Sequence, residues 1–258
     1  LGDWKAPDGW YNKAAQEKKT WDSYVAKESG PTNQELPSYA HAVGAVYRNA
    51  DPSDIVVTAA GGLVGEVVQI WKPKQLNTFE TEWGFSCMGY EISGALGIKM
   101  AKPDQDVIVF VGDGSYLLQN SDIYSSVIYN KKLIIVVCDN GGHMVINRLQ
   151  LAKGGKEYLC NLRSARASNV QFVDFEAHAK SMGANGETVK TTSELEAAFK
   201  RAKESDKTYV ISMLTHGYEW LEGSAFWESP TLEVHSTDGN KKAYEEFIEG
   251  KNKQRKGV

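Results

Sequence analysis

Val107-Ile108-Val109-Phe110-Val111-Gly112-Asp113-Gly114-Ser115, together with Leu133-Ile134-Ile135-Val136-Val137-Cys138-Asp139-Asn140-Gly141-Gly142 downstream, decides the fold. Each stretch begins as an apolar run without polar alternation, the pattern of a central parallel strand covered on both faces. Each then breaks into glycines around a carboxylate or an amide. Working outward, shorter runs at 55–59, 77–80, 187–190 and 209–214 alternate with helical patterns at 36–48, 87–100, 119–130, 174–182, 193–204 and 241–250. The alternation predicts an α/β fold, a doubly wound parallel sheet with helices on both faces. Thr192, Ser193 and Glu194 supply hydroxyl caps and a first-turn carboxylate for the 193–204 helix.

The 258 residues allow one large domain or two small ones, and 41% hydrophobic with 24% charged residues is an ordinary globular mix. Residues 38–215 carry the α/β pattern. Residues 1–37, with five lysines and three tryptophans, read as an arm or linker, and 216–258 as a loop, a helix and a solvated tail. The aromatic, Ser- and Gly-rich stretch 217–239 reads as a long loop able to cover a site. A net charge of −4 without a basic cluster argues against nucleic acid as a partner. The apolar runs are too short to span a bilayer. Three cysteines without CxxC spacing favour a reducing, cytoplasmic setting. The first residue is Leu1, which suggests the cut end of a longer chain.

The candidate chemistry lies at the ends of the two runs. In open α/β sheets, ligands collect at the carboxyl ends of strands. Gly112 and Gly114 let a bulky anion approach the backbone, and Asp113 can hold the cation that neutralises it; the same pattern also makes a plain tight turn. Asn140 ends the next run, and neighbouring strands lie about 4.8 Å apart, so Asp113 and Asn140 can share one ion. Mg²⁺ takes oxygen ligands and shares them with phosphate. The amide of Asn140 adds an oxygen without a second charge, and the Gly142 carbonyl offers a third. As a turn residue, Asn140 would instead cap its own backbone. Gly61 and Gly62 follow the 55–59 run as a further phosphate-facing turn.

Gly112-Asp113-Gly114 followed by Asn140 resembles the signature of the diphosphate-binding domain of thiamine diphosphate enzymes. Glu82-Trp83-Gly84-Phe85-Ser86-Cys87-Met88-Gly89-Tyr90-Glu91 is similar to the segment preceding it in acetolactate-synthase-like members. Narrower still, SCMGYEISGALGIKMAKPDQDV, VGDGSYLL, YNKKL and DNGG with INRLQ resemble the ring-opening hydrolases of inositol catabolism. The resemblance implies thiamine diphosphate and Mg²⁺ as cofactors, with Asp113, Asn140 and Gly142 on the metal and Gly61, Gly62, Gly112, Gly114 and Ser115 near the diphosphate. Met88 would wedge beneath the cofactor and keep its rings bent, an unbranched thioether filling an irregular gap; as a core residue it would simply pack in the helix starting near Cys87. His143 and Met144, which stand where relatives carry an aromatic residue and a glycine, are also expected among the cofactor-binding residues. His143 would face substrate or a phosphate oxygen, or be merely solvated.

The implied activity is cleavage of a C–C bond in a cyclic 1,2-dione, with water releasing 5-deoxyglucuronate. The glutamate that activates the cofactor's pyrimidine belongs to a domain this chain does not show, so no catalytic residue is assigned. The resemblance also implies a homo-oligomer, dimer or tetramer, that adds the pyrimidine-binding and central domains. Rival readings are an acetolactate-synthase-type carboligase and a cofactor-binding fragment inactive on its own. A haloacid-dehalogenase-type phosphatase is disfavoured, because Asp104 and Asp106 precede their strand and sit at the wrong end of the sheet. His41, His178, His216 and His235 lack ligand spacing, and the thiols lack a base partner.

Overall fold

In the computed structural model of the chain, which describes residues 2–162, 172–222 and 231–254, the two deciding runs become β3 (Val107–Gly112) and β4 (Ile134–Asp139). With β1 (Ile55–Thr58), β2 (Phe79–Thr81), β5 (Asn185–Val189) and β6 (Tyr209–Leu214) they form one sheet, ordered β2-β1-β3-β4-β6-β5, with every pair parallel. Val56, Ile108, Phe110, Ile134, Val136 and Ile211 share a core with α2 (Tyr39–Asn49), α3 (Gly61–Ile70) and α9 (Thr192–Glu204). Val57, Val109, Val111, Ile135, Val137 and Val210 pack against α4 (Tyr90–Ala101), α6 (Ser121–Ile128) and α8 (Phe175–Ser181) on the opposite face. This double cover is why the central runs do not alternate. Each such side chain contributes roughly 1.5–3 kcal/mol when fully buried.

From β1 the chain crosses to β2 at one side; from β3 it crosses to β4 at the other. The winding reverses between β1 and β3, and a crevice opens at their carboxyl ends. The opposite end of the sheet is closed by ion pairs. Lys203 bonds Asp54 at 2.6 Å and Asp106 at 3.1 Å, and Lys132 bonds Asp106 at 2.9 Å. Asp106 is thus committed to a structural cluster at the amino end of β3, as its position before the run predicts.

Four helices go beyond the sequence reading. The segment expected as an arm contains α1 (Trp10–Glu28), whose Trp21, Tyr24 and Val25 pack on the core while its first turns stay exposed. α3, α5 (Asp113–Leu118) and α7 (Met144–Ala152) each start directly at a glycine-bearing turn. The cap of α9 lies one residue earlier than expected. Thr191 accepts from the Glu194 N–H at 3.1 Å, and the Glu194 carboxylate returns to the Thr191 N–H. The C-terminal helix α10 (Asp238–Lys253) runs into the stretch read as tail. Of the expected 217–239 loop, residues 223–230 lie outside the described residues. The part before them is pinned: Leu221 N–H donates to Glu66, Glu222 N–H to Tyr24, and Tyr218 hydroxyl to Glu157. Among the described residues, no helix is long and apolar enough to cross a membrane.

Candidate functional site

Strands β3 and β4 are neighbours with Gly112 paired to Cys138, so Asp113 and the Asp139-Asn140 pair emerge side by side at the crevice. Asp113 is 4% exposed. Burial, and then the nearby Asp139 carboxylate, push its carboxyl up to about 7; backbone N–H groups of Gly114, Asp113 and Gly142 pull the other way. Among the described residues, no Lys or Arg forms an ion pair with Asp113. A buried carboxylate beside another is costly to keep charged. A divalent cation bound there would offset that cost.

Asn140 supplies the second observation. One arm of its amide lies 2.8 Å from the Gly142 carbonyl oxygen and 3.3 Å from Asp113 Oδ1; the other lies 2.5 Å from the Tyr39 hydroxyl. Carboxylate, amide and carbonyl, the three expected ligands, therefore converge on one point. With Nδ2 on the Asp113 side, the amide donates to both oxygens. With Oδ1 there, three oxygens face one another, an arrangement favourable only around a cation. The donor set fits Mg²⁺. It contains a single side-chain carboxylate, and among the described residues no three His, Cys, Asp or Glu side chains gather as a metal group.

The Gly142 carbonyl is fixed by an antiparallel bridge to Asn161, with His143 N–H donating to the Cys160 carbonyl at 2.8 Å and Leu162 N–H to the Gly141 carbonyl at 2.9 Å. Gly61 and Gly62 start α3 beside the same crevice, Gly62 lying close to Val145 and the Tyr39 ring. A side chain at Gly114 would meet the His143 ring at 2.9 Å and the Met88 methyl at 3.4 Å, so Met88 and His143 both border the Gly114 turn. Met88 is 38% exposed and precedes α4, which begins at Tyr90. That position at the mouth departs from the core reading. Ser115 lies buried in the first turn of α5, near enough to Glu91 to lower that carboxyl's pKa. Met144, buried at the start of α7, packs against Gly217 and borders the crevice together with Tyr39, Gly62 and Asn140.

Three residues matter to the site without having been singled out for it. Glu91 is fully buried, and its carboxylate accepts from Ala60 N–H at 3.1 Å and Gly89 N–H at 2.8 Å, tying two turns together. Tyr39 opens α2 behind its Ser38 cap and reaches Asn140. Glu66, on the core side of α3, accepts from Leu221 N–H at 2.9 Å, while its Oε2 has no hydrogen-bond partner. The signal for Glu66 and Glu91 was a carboxylate on an otherwise apolar helix face.

Burial pushes the Glu66 carboxyl from 4.5 up to about 7, against the Leu221 N–H and Arg148, which lower it. A folded value above the unfolded one means that the stability tied to this group is complete below about 4.5 and is lost as pH rises through about 7. Glu66→Gln keeps the neutral state, so it should be about 2 kcal/mol more stable than wild type near pH 8 and equal to it near pH 4. Urea midpoints at the two pH values check this; equal midpoints near pH 8 would refute it.

A separate cavity of about 420 Å³ lies among Phe175, Thr188, Ser212 and Met213, with Asp139 at its edge. The Thr188 and Ser212 hydroxyls are bonded to each other at 3.0 Å, and the oxygen cluster faces the crevice instead.

Residues 59–213 match the family described as thiamine pyrophosphate enzyme, C-terminal TPP binding domain. The chain belongs to this family through that thiamine-diphosphate-binding domain. Among similar proteins, 3D-(3,5/4)-trihydroxycyclohexane-1,2-dione hydrolase of Halalkalibacterium halodurans is 37% identical over 76% of this chain and 31% of its own length. The proteins of that name from Lacticaseibacillus casei and Bacillus subtilis are 34% and 35% identical, over 93% and 83% of this chain and 38% and 33% of their own lengths. The chain thus spans about a third of the length of the curated relatives it matches. Among solved structures, a thiamine diphosphate-dependent 4-hydroxybenzoylformate decarboxylase of Rhodococcus jostii RHA1 superposes with a TM-score of 0.63 at 19% identity, over 72% of this chain and 34% of the other, a likeness of fold.

Proposed function

We propose that the chain is the diphosphate-binding part of a thiamine-diphosphate-dependent hydrolase that cleaves a C–C bond of a cyclic 1,2-dione, trihydroxycyclohexanedione to 5-deoxyglucuronate, in inositol catabolism. The observation that carries the reading is the convergence of Asp113, Asn140 and the Gly142 carbonyl at the reversal of the sheet. The shared name of the relatives supports the substrate.

Asp113, Asn140 and Gly142 hold Mg²⁺. The turns at Gly61-Gly62 and Gly112-Asp113-Gly114 offer backbone N–H groups to phosphate oxygens, where a Cβ would obstruct approach. Met88 packs beneath the cofactor rings, and His143 faces the same space. Bound thiamine diphosphate supplies the nucleophilic carbon and the electron sink for C–C cleavage. Residues 38–215 form the cofactor-binding unit, and a pyrimidine-binding and a central domain complete the site in a homo-oligomer. The three unpaired thiols suit a cytoplasmic enzyme.

Titrating the chain with thiamine diphosphate and Mg²⁺ in a calorimeter should give saturable heat that depends on both. Absence of heat would overturn the cofactor assignment. In an assembly containing a pyrimidine-binding domain, consumption of the dione supports the hydrolase. Condensation of two pyruvate molecules would move the protein to the acetolactate-synthase type.

A further inference from the structure

The Tyr39 hydroxyl touches the one side chain of the oxygen cluster that is able to turn over. It lies 2.5 Å from the Asn140 amide, across 101 positions of sequence. The same residue borders two other turns of the crevice: its ring is 3.9 Å from where a Gly62 Cβ would stand, and its hydroxyl 3.9 Å from that of Gly112. Tyr39 is itself buried, with Ser38 capping its helix through the His41 N–H. A phenol both donates and accepts. It therefore satisfies either orientation of Asn140.

We propose that Tyr39 is a positioning residue for the metal-binding amide: its hydroxyl donates to Asn140 Oδ1 when no cation is present and accepts from Nδ2 when Oδ1 turns onto the metal. The proposal rests on the Mg²⁺ reading above. In the cation-free orientation Nδ2 already has two acceptors, Asp113 Oδ1 at 3.3 Å and the Gly142 carbonyl at 2.8 Å, and Oδ1 takes the phenol proton. In the loaded orientation Oδ1 belongs to the cation, and Nδ2 donates to the Tyr39 oxygen, its one acceptor among the described residues. Removing the hydroxyl leaves an unpaired carbonyl in the first state and an unpaired N–H in the second. Orphaned N–H groups are the rarer and the less tolerated. The hydroxyl thus favours the loaded state.

The test is a double-mutant cycle with Mn²⁺ in place of Mg²⁺ and thiamine diphosphate at saturation, free Mn²⁺ being read by electron paramagnetic resonance. Tyr39→Phe should weaken Mn²⁺ binding about tenfold in the wild-type background and leave it unchanged in Asn140→Ala. An equal loss in both backgrounds, or none in the first, overturns the proposal. A second measurement needs no variant: the Asn140 side-chain amide resonances of the ¹⁵N-labelled chain should shift as diamagnetic Mg²⁺ binds, because Nδ2 changes partners. Unshifted resonances at saturating Mg²⁺ would also sink it. If wild type binds no Mn²⁺, the metal reading falls with it, whereas binding without coupling rejects Tyr39 alone.

Discussion

Asp113→Ala should abolish the calorimetric heat of thiamine diphosphate with Mg²⁺ and erase the gain in melting temperature that the pair gives wild type. Among the three converging oxygens, only this side chain carries charge. Removing it leaves Asn140 and the Gly142 carbonyl, two neutral donors, to hold a strongly hydrated dication. A loss of at least about 100-fold, or about 2.7 kcal/mol, is expected. A ligand at about 100 times its Kd stabilises the folded state by a similar amount, so the thermal shift should vanish with the heat.

The isosteric Asp113→Asn separates binding from stability. In the cation-free chain, Asp113 is buried beside Asp139, and both burial and that neighbouring carboxylate disfavour its charged form. Neutralising it without a cavity should raise stability near pH 8 by about 1–2 kcal/mol while cofactor binding is lost. Unchanged affinity in either variant would disprove the metal site, and a less stable Asp113→Asn chain would disprove the electrostatic account.

The centre of the fold was legible because its chemistry is local. Runs 107–111 and 133–138 are apolar on both faces, and both became buried strands. The Asp113 and Asn140 pairing was legible for the same reason: adjacent parallel strands bring their ends together whatever lies between. Helix α1 was not, because its core-facing residues, Trp21, Tyr24 and Val25, crowd its last turns and the lysine-rich beginning faces water. Nor were α3, α5 and α7, whose glycine-bearing starts read as loops although the glycines are the site turns that the helices continue. Glu91 was quoted within its motif but gave no sign of its partner at Ala60, which lies 31 positions upstream. Tyr39 was hidden by distance along the chain. Its spacing to Asn140 depends on where α2 docks, which no periodicity encodes.

Gly142→Ala should cost about 3 kcal/mol of stability, about 6–12 °C in melting temperature for a domain of this size, and weaken the metal site as well. Gly142 sits at φ 141°, a backbone conformation that L residues rarely adopt. A Cβ there would lie 2.2 Å from the Cys160 carbonyl oxygen. That oxygen is backbone, already accepting the His143 N–H, so it has no rotamer to escape into. Either the bridge to Asn161 opens or the turn rotates, and rotation carries the Gly142 carbonyl away from Asn140 and Asp113. The two routes are distinguishable. Opening of the bridge exposes the Leu162 N–H to hydrogen exchange with modest loss of metal affinity, whereas rotation lowers Mn²⁺ affinity most. Gly141→Ala is the control: its φ of 80° carries strain, but no atom stands within 4 Å of the added carbon. If the two variants lose equal stability, the close approach of Cys160 is not what the glycine at 142 is for.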